Sequence, residues 1–178
     1  YRAAVDSAVR CRFPGIERIS GGRAAVFTEG ALSLTFTVPD PRPAERTSFR
    51  FTESAGLVQQ AFRDLGVDAR VGAVAHEYCP GEFSLNAGGR IKLAGAGQRM
   101  IRGAAHLGFV ILVAGSQLAA EVLEPVYEAL GMDFSPLTVG SLEDEVPGVT
   151  RHDVEQALLW RLGGRRGRQP GRLAQGPG

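Results

Sequence analysis

The 178-residue chain contains one lysine, Lys92, against nineteen arginines. Where an ordinary positive charge is wanted this sequence uses arginine, so the lysine calls for a reason. Other scarcities narrow the field. Two cysteines, Cys11 and Cys79, are too few for a disulfide framework, and unbridged thiols are commonly buried or reactive. No pair of His, Cys or Asp residues has zinc-like spacing, so no metal is expected. The longest apolar run, "FVILVA" at 109–114, falls far short of the roughly 20 residues a membrane span needs. No charged-then-apolar leader opens the chain. The net charge of +1 argues against an extended nucleic-acid surface. These absences lead us to expect a cytoplasmic protein that engages neither membrane nor nucleic acid.

What is present fits one globular domain: 44% of residues are hydrophobic and 22% charged, with length enough for a single sizeable core. We expect that domain to occupy residues 1–162, followed by a disordered Gly/Arg/Pro-rich tail over 163–178. The chain starts at Tyr1 partway through a helical pattern and is expected to be a fragment lacking its natural N-terminus. "AAVDSAVR" reads as the end of that helix. "IERIS" reads as a short strand and "RAAVF" as further extended chain. "ALSLTFTV", 31–38, alternates as a half-buried strand should. Residues 45–66 suggest a helix facing inward with Phe51, Leu57, Val58, Ala61, Phe62 and Leu65. Strand-length segments follow: "DARVG", "EFSLNA", "RIKLAG", "QRMIR" and "HLGFVILV", with Gly88-Gly89 as a hairpin turn. "SQLAAEVLEPVYEALG" predicts an amphipathic helix capped by Ser116, with Leu118, Val122, Leu123, Val126, Tyr127 and Leu130 as its stripe and Pro125 weakening it. "TRHDVEQALLWRL" predicts a last helix. The expected class is α+β, a mixed or antiparallel sheet with helices packed on it.

Lys92 is the first candidate for chemistry. An ammonium is a compact charge with movable donors, suited to a single carbonyl oxygen or oxyanion, whereas a guanidinium is a wide planar fork. Gly95 and Gly97 beyond it leave room for a ligand to approach the backbone. A surface lysine without a role is the competing reading. Cys79, in "EYCPGEFSLN", is the second candidate: an accessible thiol beside a cation, or a small buried hydrophobe. A hairpin at Gly88 puts Lys92 opposite Ser84, about 16 Å of extended chain from Cys79. The Pro80-Gly81 turn must therefore fold the cysteine back for the two to meet. His76 and Glu77 lie close enough in sequence to assist Cys79. His106 either orients a group in the same cleft or is an ordinary strand histidine, and Cys11 reads as packing. Ser20 precedes Gly21-Gly22 at a turn whose N–H groups suit an anionic group.

"RISGGRAAVFTEGALSLTFTV" resembles the Arg-x-x-Gly-Gly strand-turn-strand motif of the lipoate-protein ligase and octanoyltransferase family, itself related to biotin-protein ligases. "EYCPGEFSLNAGGRIKLAGAGQRMIRGAAHLG" resembles that family's second motif, a Cys-Pro-Gly loop and a strand followed by Lys-x-Ala-Gly-x-x-Gln-Arg. The Cys-Pro-Gly version is most similar to the amidotransferase branch. The resemblance runs from about Tyr1 to about Leu159, and Arg23 stands where many members have a third glycine. It implies a biotin/lipoate protein ligase-like catalytic domain in which Cys79 carries the acyl group as a thioester and Lys92 binds the acyl carbonyl. Arg18, Ser20, Gly21, Gly22, Gly95, Gly97, Gln98, Arg99 and His106 would shape the substrate cleft. The implied activity moves an octanoyl or lipoyl group onto a lysine of lipoyl-domain proteins, such as the glycine-cleavage H protein and 2-oxoacid dehydrogenase subunits, with no cofactor. The alternatives are an ATP-dependent lipoate-protein ligase, which uses ATP and magnesium, and a non-catalytic acyl- or carrier-binding homologue.

Overall fold

The computed structural model describes residues 1–18 and 20–163. The expected tail, from residue 164 on, and Ile19 of "IERIS" lie outside the described residues. Helix α1 (Arg2–Arg10) leads through irregular chain to β1 (Ala31–Pro39), α2 (Thr47–Asp64), β2 (Ala69–Val71) and β3 (Leu85–Ala87). Strands β4 (Ile91–Ile101) and β5 (Ala104–Leu112) form the central hairpin. Then come α3 (Ser116–Leu130), a 3₁₀ turn (Pro136–Thr138), α4 (Leu142–Glu145) and α5 (Arg151–Gly163).

The five strands lie in the order β1-β5-β4-β3-β2, and every ladder is antiparallel. Alternation along β1 sets the two faces of this sheet. Leu32, Leu34 and Phe36 pack against a core shared with α2 and α5, centred on Phe62, Leu93, Phe109 and Leu158. Ser33 and Thr35 point to the other side, where a cavity opens. A second core joins α1 and α3 through Ala4, Leu123, Val126 and Tyr127, and Tyr78 and Cys79 rest on it. Cys79 is thus seated between a rigid helix and the open sheet face.

Several expectations change. The described residues of "IERIS" and all of "RAAVF" form no strand. In "RAAVF" side chains engage backbone groups instead of a ladder: Arg23 N–H donates to the Cys79 sulfur, Arg23 C=O accepts from Arg18, and Ala24 C=O accepts from Tyr127. "EFSLNA" shrinks to Leu85–Ala87, because Ser84 N–H closes a turn on Gly81 C=O. "RIKLAG" and "QRMIR" are one eleven-residue strand, since Gly95 and Gly97 pair with Val110 and Gly108 of β5. The cap of α3 is Gly115, at φ 80°, and Ser116 is its first helical residue. The buried stripe of α3 runs Ala119, Val122, Leu123, Val126, Tyr127, leaving Leu118 half-exposed, and the helix continues through Pro125. The short α4 and the 3₁₀ turn carry too few residues for a detectable period.

Gly30 marks the closest backbone approach. A Cβ there would lie 2.2 Å from the carbonyl oxygen of Ala114, and Gly30 C=O accepts from Val113 and Ala114 N–H. Gly30→Ala must push β1 off the end of β5. We expect a loss of about 3 kcal/mol in denaturant unfolding; a loss below about 1 kcal/mol would show that the junction yields freely.

Candidate functional site

A cavity of about 390 Å³ opens on the polar face of the sheet. Its floor is built by alternate strand residues, Thr35 of β1, Gly95 and Gly97 of β4, and His106 of β5. Phe27, Phe51 and Phe83 supply apolar walls, the last two stacked at 4.9 Å. The size and mostly apolar lining suit a small ligand with an extended hydrocarbon part. Lys92 and Cys79 both border this space.

Lys92 is fully buried. Its register partner on β3 is Asn86, not Ser84, because three residues form the hairpin turn. The loop before β3 folds back over it, as cooperation with Cys79 demands. The ammonium donates to Glu77 Oε1 at 3.0 Å, to Tyr78 C=O at 2.8 Å and to Cys79 C=O at 2.8 Å. All three donors are occupied, and the Tyr78 ring centroid lies 4.6 Å from Nζ. Burial pulls the lysine pKa below its usual 10.5, while the Glu77 charge partly opposes that shift.

Glu77 is the residue that sequence reasoning touched only lightly. Its side chain is buried. Oε1 accepts from Lys92, from Ser84 Oγ at 2.7 Å and from Gly81 N–H at 3.3 Å, and Oε2 accepts from Val74 N–H at 2.9 Å. The carboxylate thus ties both ends of the 74–84 loop to the lysine. The one sequence signal for this is an acidic residue two positions before the Cys-Pro-Gly turn in a chain with one lysine.

Cys79 has a φ of 42°, the left-handed region that a non-glycine residue occupies at a cost of about 1–3 kcal/mol. Four contacts hold it there. Its N–H donates to Tyr127 Oη at 2.6 Å, its C=O accepts from Lys92, and its sulfur accepts from Arg18 Nη2 at 3.3 Å and Arg23 N–H at 3.1 Å. The sulfur is half-buried, at the cavity wall, and flanked by a cation. Gly22 makes this meeting possible. At φ 120° it accepts a conformation side chains avoid, and a Cβ there would stand 2.1 Å from Arg18 Nη2 and 3.0 Å from the cysteine sulfur.

The remaining candidates divide. Arg18, Ser20, Gly22, Gly95, Gly97 and His106 border the cavity, and His106 Nδ1 shares a 3.1 Å hydrogen bond with Thr37. Gly21, Gln98 and Arg99 are not among its walls. Gln98 Oε1 instead accepts from Arg50 Nε at 2.7 Å, and Arg50 pairs with Asp40 at 2.6 Å in a buried ion pair. Arg23 contributes a backbone N–H, which any residue but proline would supply. His76 is exposed and bonded to Asp133. Cys11 packs against the α1–α3 core.

Comparison with known proteins places this geometry in context. The model of the family described as "Lipoyl protein ligase A/B catalytic domain" matches residues 5–162. An octanoyl-GcvH:protein N-octanoyltransferase of Geobacillus kaustophilus is 30% identical over 157 residues, 82% of this chain and 55% of that protein. A protein of the same name from an Exiguobacterium species is 32% identical over 142 residues, 74% of this chain and 50% of its own length. The chain therefore spans about half the length of the curated relatives it matches. A crystal structure of lipoate-protein ligase A bound with ATP superposes with a TM-score of 0.69 at 22% identity, over 89% of this chain and 61% of that one; at that identity the likeness concerns the fold. Among the described residues no helix is long and apolar enough to cross a membrane.

Burial lifts two phenols beside the cysteine, Tyr78 well above its usual 10 and Tyr127 to about 12. A raised tyrosine pKa means that the folded chain keeps a proton the unfolded chain releases. Their contribution to stability is complete below pH 10 and is lost as pH rises from 10 towards about 12. Denaturant unfolding at about pH 9 and about pH 11 should show this decline, and Tyr127→Phe should flatten it. An equal decline in the variant would assign it to other groups.

Proposed function

Since this chain belongs to the lipoyl protein ligase A/B catalytic-domain family, we propose that residues 1–162 form the catalytic unit of an acyltransferase working through a thioester on Cys79. The observation that carries the reading is the cysteine sulfur itself, held at the wall of an apolar cavity by Arg18 and Arg23 N–H within one residue's reach of a buried ammonium. The names of the relatives point to GcvH, the glycine-cleavage H protein, as octanoyl donor, and other lipoyl-domain proteins are the acceptors. A cytoplasmic setting follows from such partners.

The sulfur attacks the carbonyl carbon of an octanoyl amide on the donor lysine. A C–S bond forms, the C–N bond breaks, and the thiol proton leaves on the departing amine. The ε-amine of an acceptor lysine then attacks the thioester, forming a new C–N bond and returning the electron pair and a proton to sulfur. Both steps pass through an oxyanion. Lys92 serves it by exchanging one acceptor: the bond to Cys79 C=O is only partly buried, whereas those to Glu77 and Tyr78 C=O are enclosed. The transfer conserves the energy of an acyl bond, so it needs no ATP and no metal.

Intact mass of the full-length protein after incubation with an octanoylated carrier, without ATP, tests this. A hydroxylamine-labile octanoyl adduct on Cys79 is expected, and Cys79→Ser should lose it together with transfer. Lys92→Met should slow acylation by about 10²–10³-fold, the usual effect of losing an oxyanion donor. A Ser variant with full activity that stops when ATP is withdrawn would replace this reading with an ATP-dependent ligase; no transfer under either condition would point to a non-catalytic binding protein.

A further inference from the structure

The thioester reading uses Cys79 and Lys92, and it leaves Glu77 unexplained. A carboxylate is a costly group to bury, and a hydrogen-bond acceptor for the loop could as well have been neutral. Three of the four bonds that Glu77 accepts come from neutral groups, Ser84 Oγ, Gly81 N–H and Val74 N–H. The fourth comes from the lysine. Among the described residues no other side chain of opposite charge is bonded to that ammonium. The other two acceptors are backbone carbonyls, Tyr78 presents a ring face, and across the strands Lys92 meets Asn86 and Val139. Of the other charged neighbours, Arg18 carries the same sign and disfavours the ammonium, while charge on Cys79 favours it less strongly than Glu77 does.

We propose that Glu77 is a positioning residue that keeps Lys92 protonated inside the cavity wall and, through the lysine's third donor, holds Cys79 in its left-handed conformation. An ammonium has three donors; a neutral amine has two and a lone pair. Loss of the proton would therefore release one of the three acceptors, and the partly buried one is the carbonyl of Cys79. Glu77 thereby governs both the charge available to an oxyanion and the direction of the nucleophile. The carboxylate acts through Lys92, its Oε1 serving the ammonium and the loop N–H at once. The catalytic half of this inference rests on the Cys79 reading; the electrostatic half stands without it. The groups facing the lysine are Glu77, the Tyr78 phenol and Cys79 from the loop and Arg18 from the segment before β1. Tyr78, lifted by burial, stays neutral through the neutral and mildly alkaline range.

The lone lysine makes the test direct. Labelling lysine with ¹³C at Cε in a protein of these 178 residues gives one side-chain signal, whose chemical shift reports the Lys92 proton whether or not the enzyme turns over. In Glu77→Gln the midpoint should fall by about 1–3 pH units relative to the parent. The alkaline limb of the Cys79 acylation rate should move down with it. Ser84→Ala, which removes a neutral bond to the same carboxylate oxygen, should leave the lysine midpoint in place. If the Gln variant does not fold, Glu77→Asp, which retracts the charge by one methylene, should shift the midpoint in the same direction by less. An unchanged midpoint in the folded Gln or Asp variant overturns the proposal, as does a shift of equal size in Ser84→Ala. A parent chain with no acyl adduct but a Glu77-dependent midpoint would defeat the thioester reading alone and leave the electrostatic assignment standing.

Discussion

A buried ammonium with a full set of acceptors organises this molecule's reactive side. Lys92 has no contact with solvent, so each of its donors must be met inside the protein or the charge becomes untenable. The chain meets that demand by wrapping residues 77–79 around it, one side chain and two carbonyls. Removing one partner of a buried ion pair typically costs about 3–5 kcal/mol, against about 1 kcal/mol for an ordinary hydrogen bond. The ion pair therefore dominates the loop's conformation. The strained backbone at Cys79 is sustained by that excess together with the Tyr127 hydroxyl, which accepts from Cys79 N–H and donates to Ala24 C=O. One phenol thus joins the cysteine loop to the irregular 23–27 segment, and the two loops are positioned as a unit on α3.

The irregularity of residues 22–27 follows from the same arrangement. A strand there would engage its N–H and C=O groups in a ladder and turn them away from the cysteine. Left out of the sheet, Arg23 N–H reaches the sulfur, and the Arg18 guanidinium bridges the sulfur and Arg23 C=O. A side chain at position 22 would collide with Arg18 at that crossing, and glycine removes the collision. The Gly-Gly pair matters here for what it lets two other residues do.

Periodicity made most of the regular structure legible. The alternation of residues 31–38 and the stripes of α2 and α3 follow directly from which side chains must avoid water. Legibility ended where non-local hydrogen bonds compete with local pattern. "RAAVF" has strand composition, yet Arg23 N–H and Ala24 C=O find their partners in the side chains of Cys79 and Tyr127, distant in sequence. The continuity of β4 was obscured by Gly95 and Gly97, which look like breaks until β5 is present to pair with them. At the site, composition alone singled out Lys92, and the motif singled out Cys79. The walls were harder to read: Gln98 sits beside cavity residues in sequence, but strand alternation turns it towards Arg50 on the opposite face. Glu77 was the least legible, since a carboxylate two residues before a turn reveals nothing of its burial until the loop closes on it.

The geometry also contains a conflict that bears on how such a site can work. The ammonium that the proposed transfer assigns to the acyl oxygen is, in this structure, fully committed to the protein. An idle buried donor would carry a desolvation penalty; Lys92 avoids it by giving its third donor to Cys79's own carbonyl. In the proposed transfer, an acyl oxygen entering the cavity would compete with that carbonyl and would gain as charge accumulates on it, because an oxyanion is the stronger acceptor. The exchange is therefore favoured most at the tetrahedral stage, when stabilisation raises the rate, and least in the ground state, when it would only tighten binding. Arginine does not fit this role: its planar fork needs more width than a fully enclosed position between two carbonyls and a carboxylate provides, and it cannot pivot one donor while retaining the other two. The presence of lysine at position 92, in a sequence that elsewhere uses arginine, thus fits the proposed role: a donor that is charged, compact and able to change partner without leaving its place.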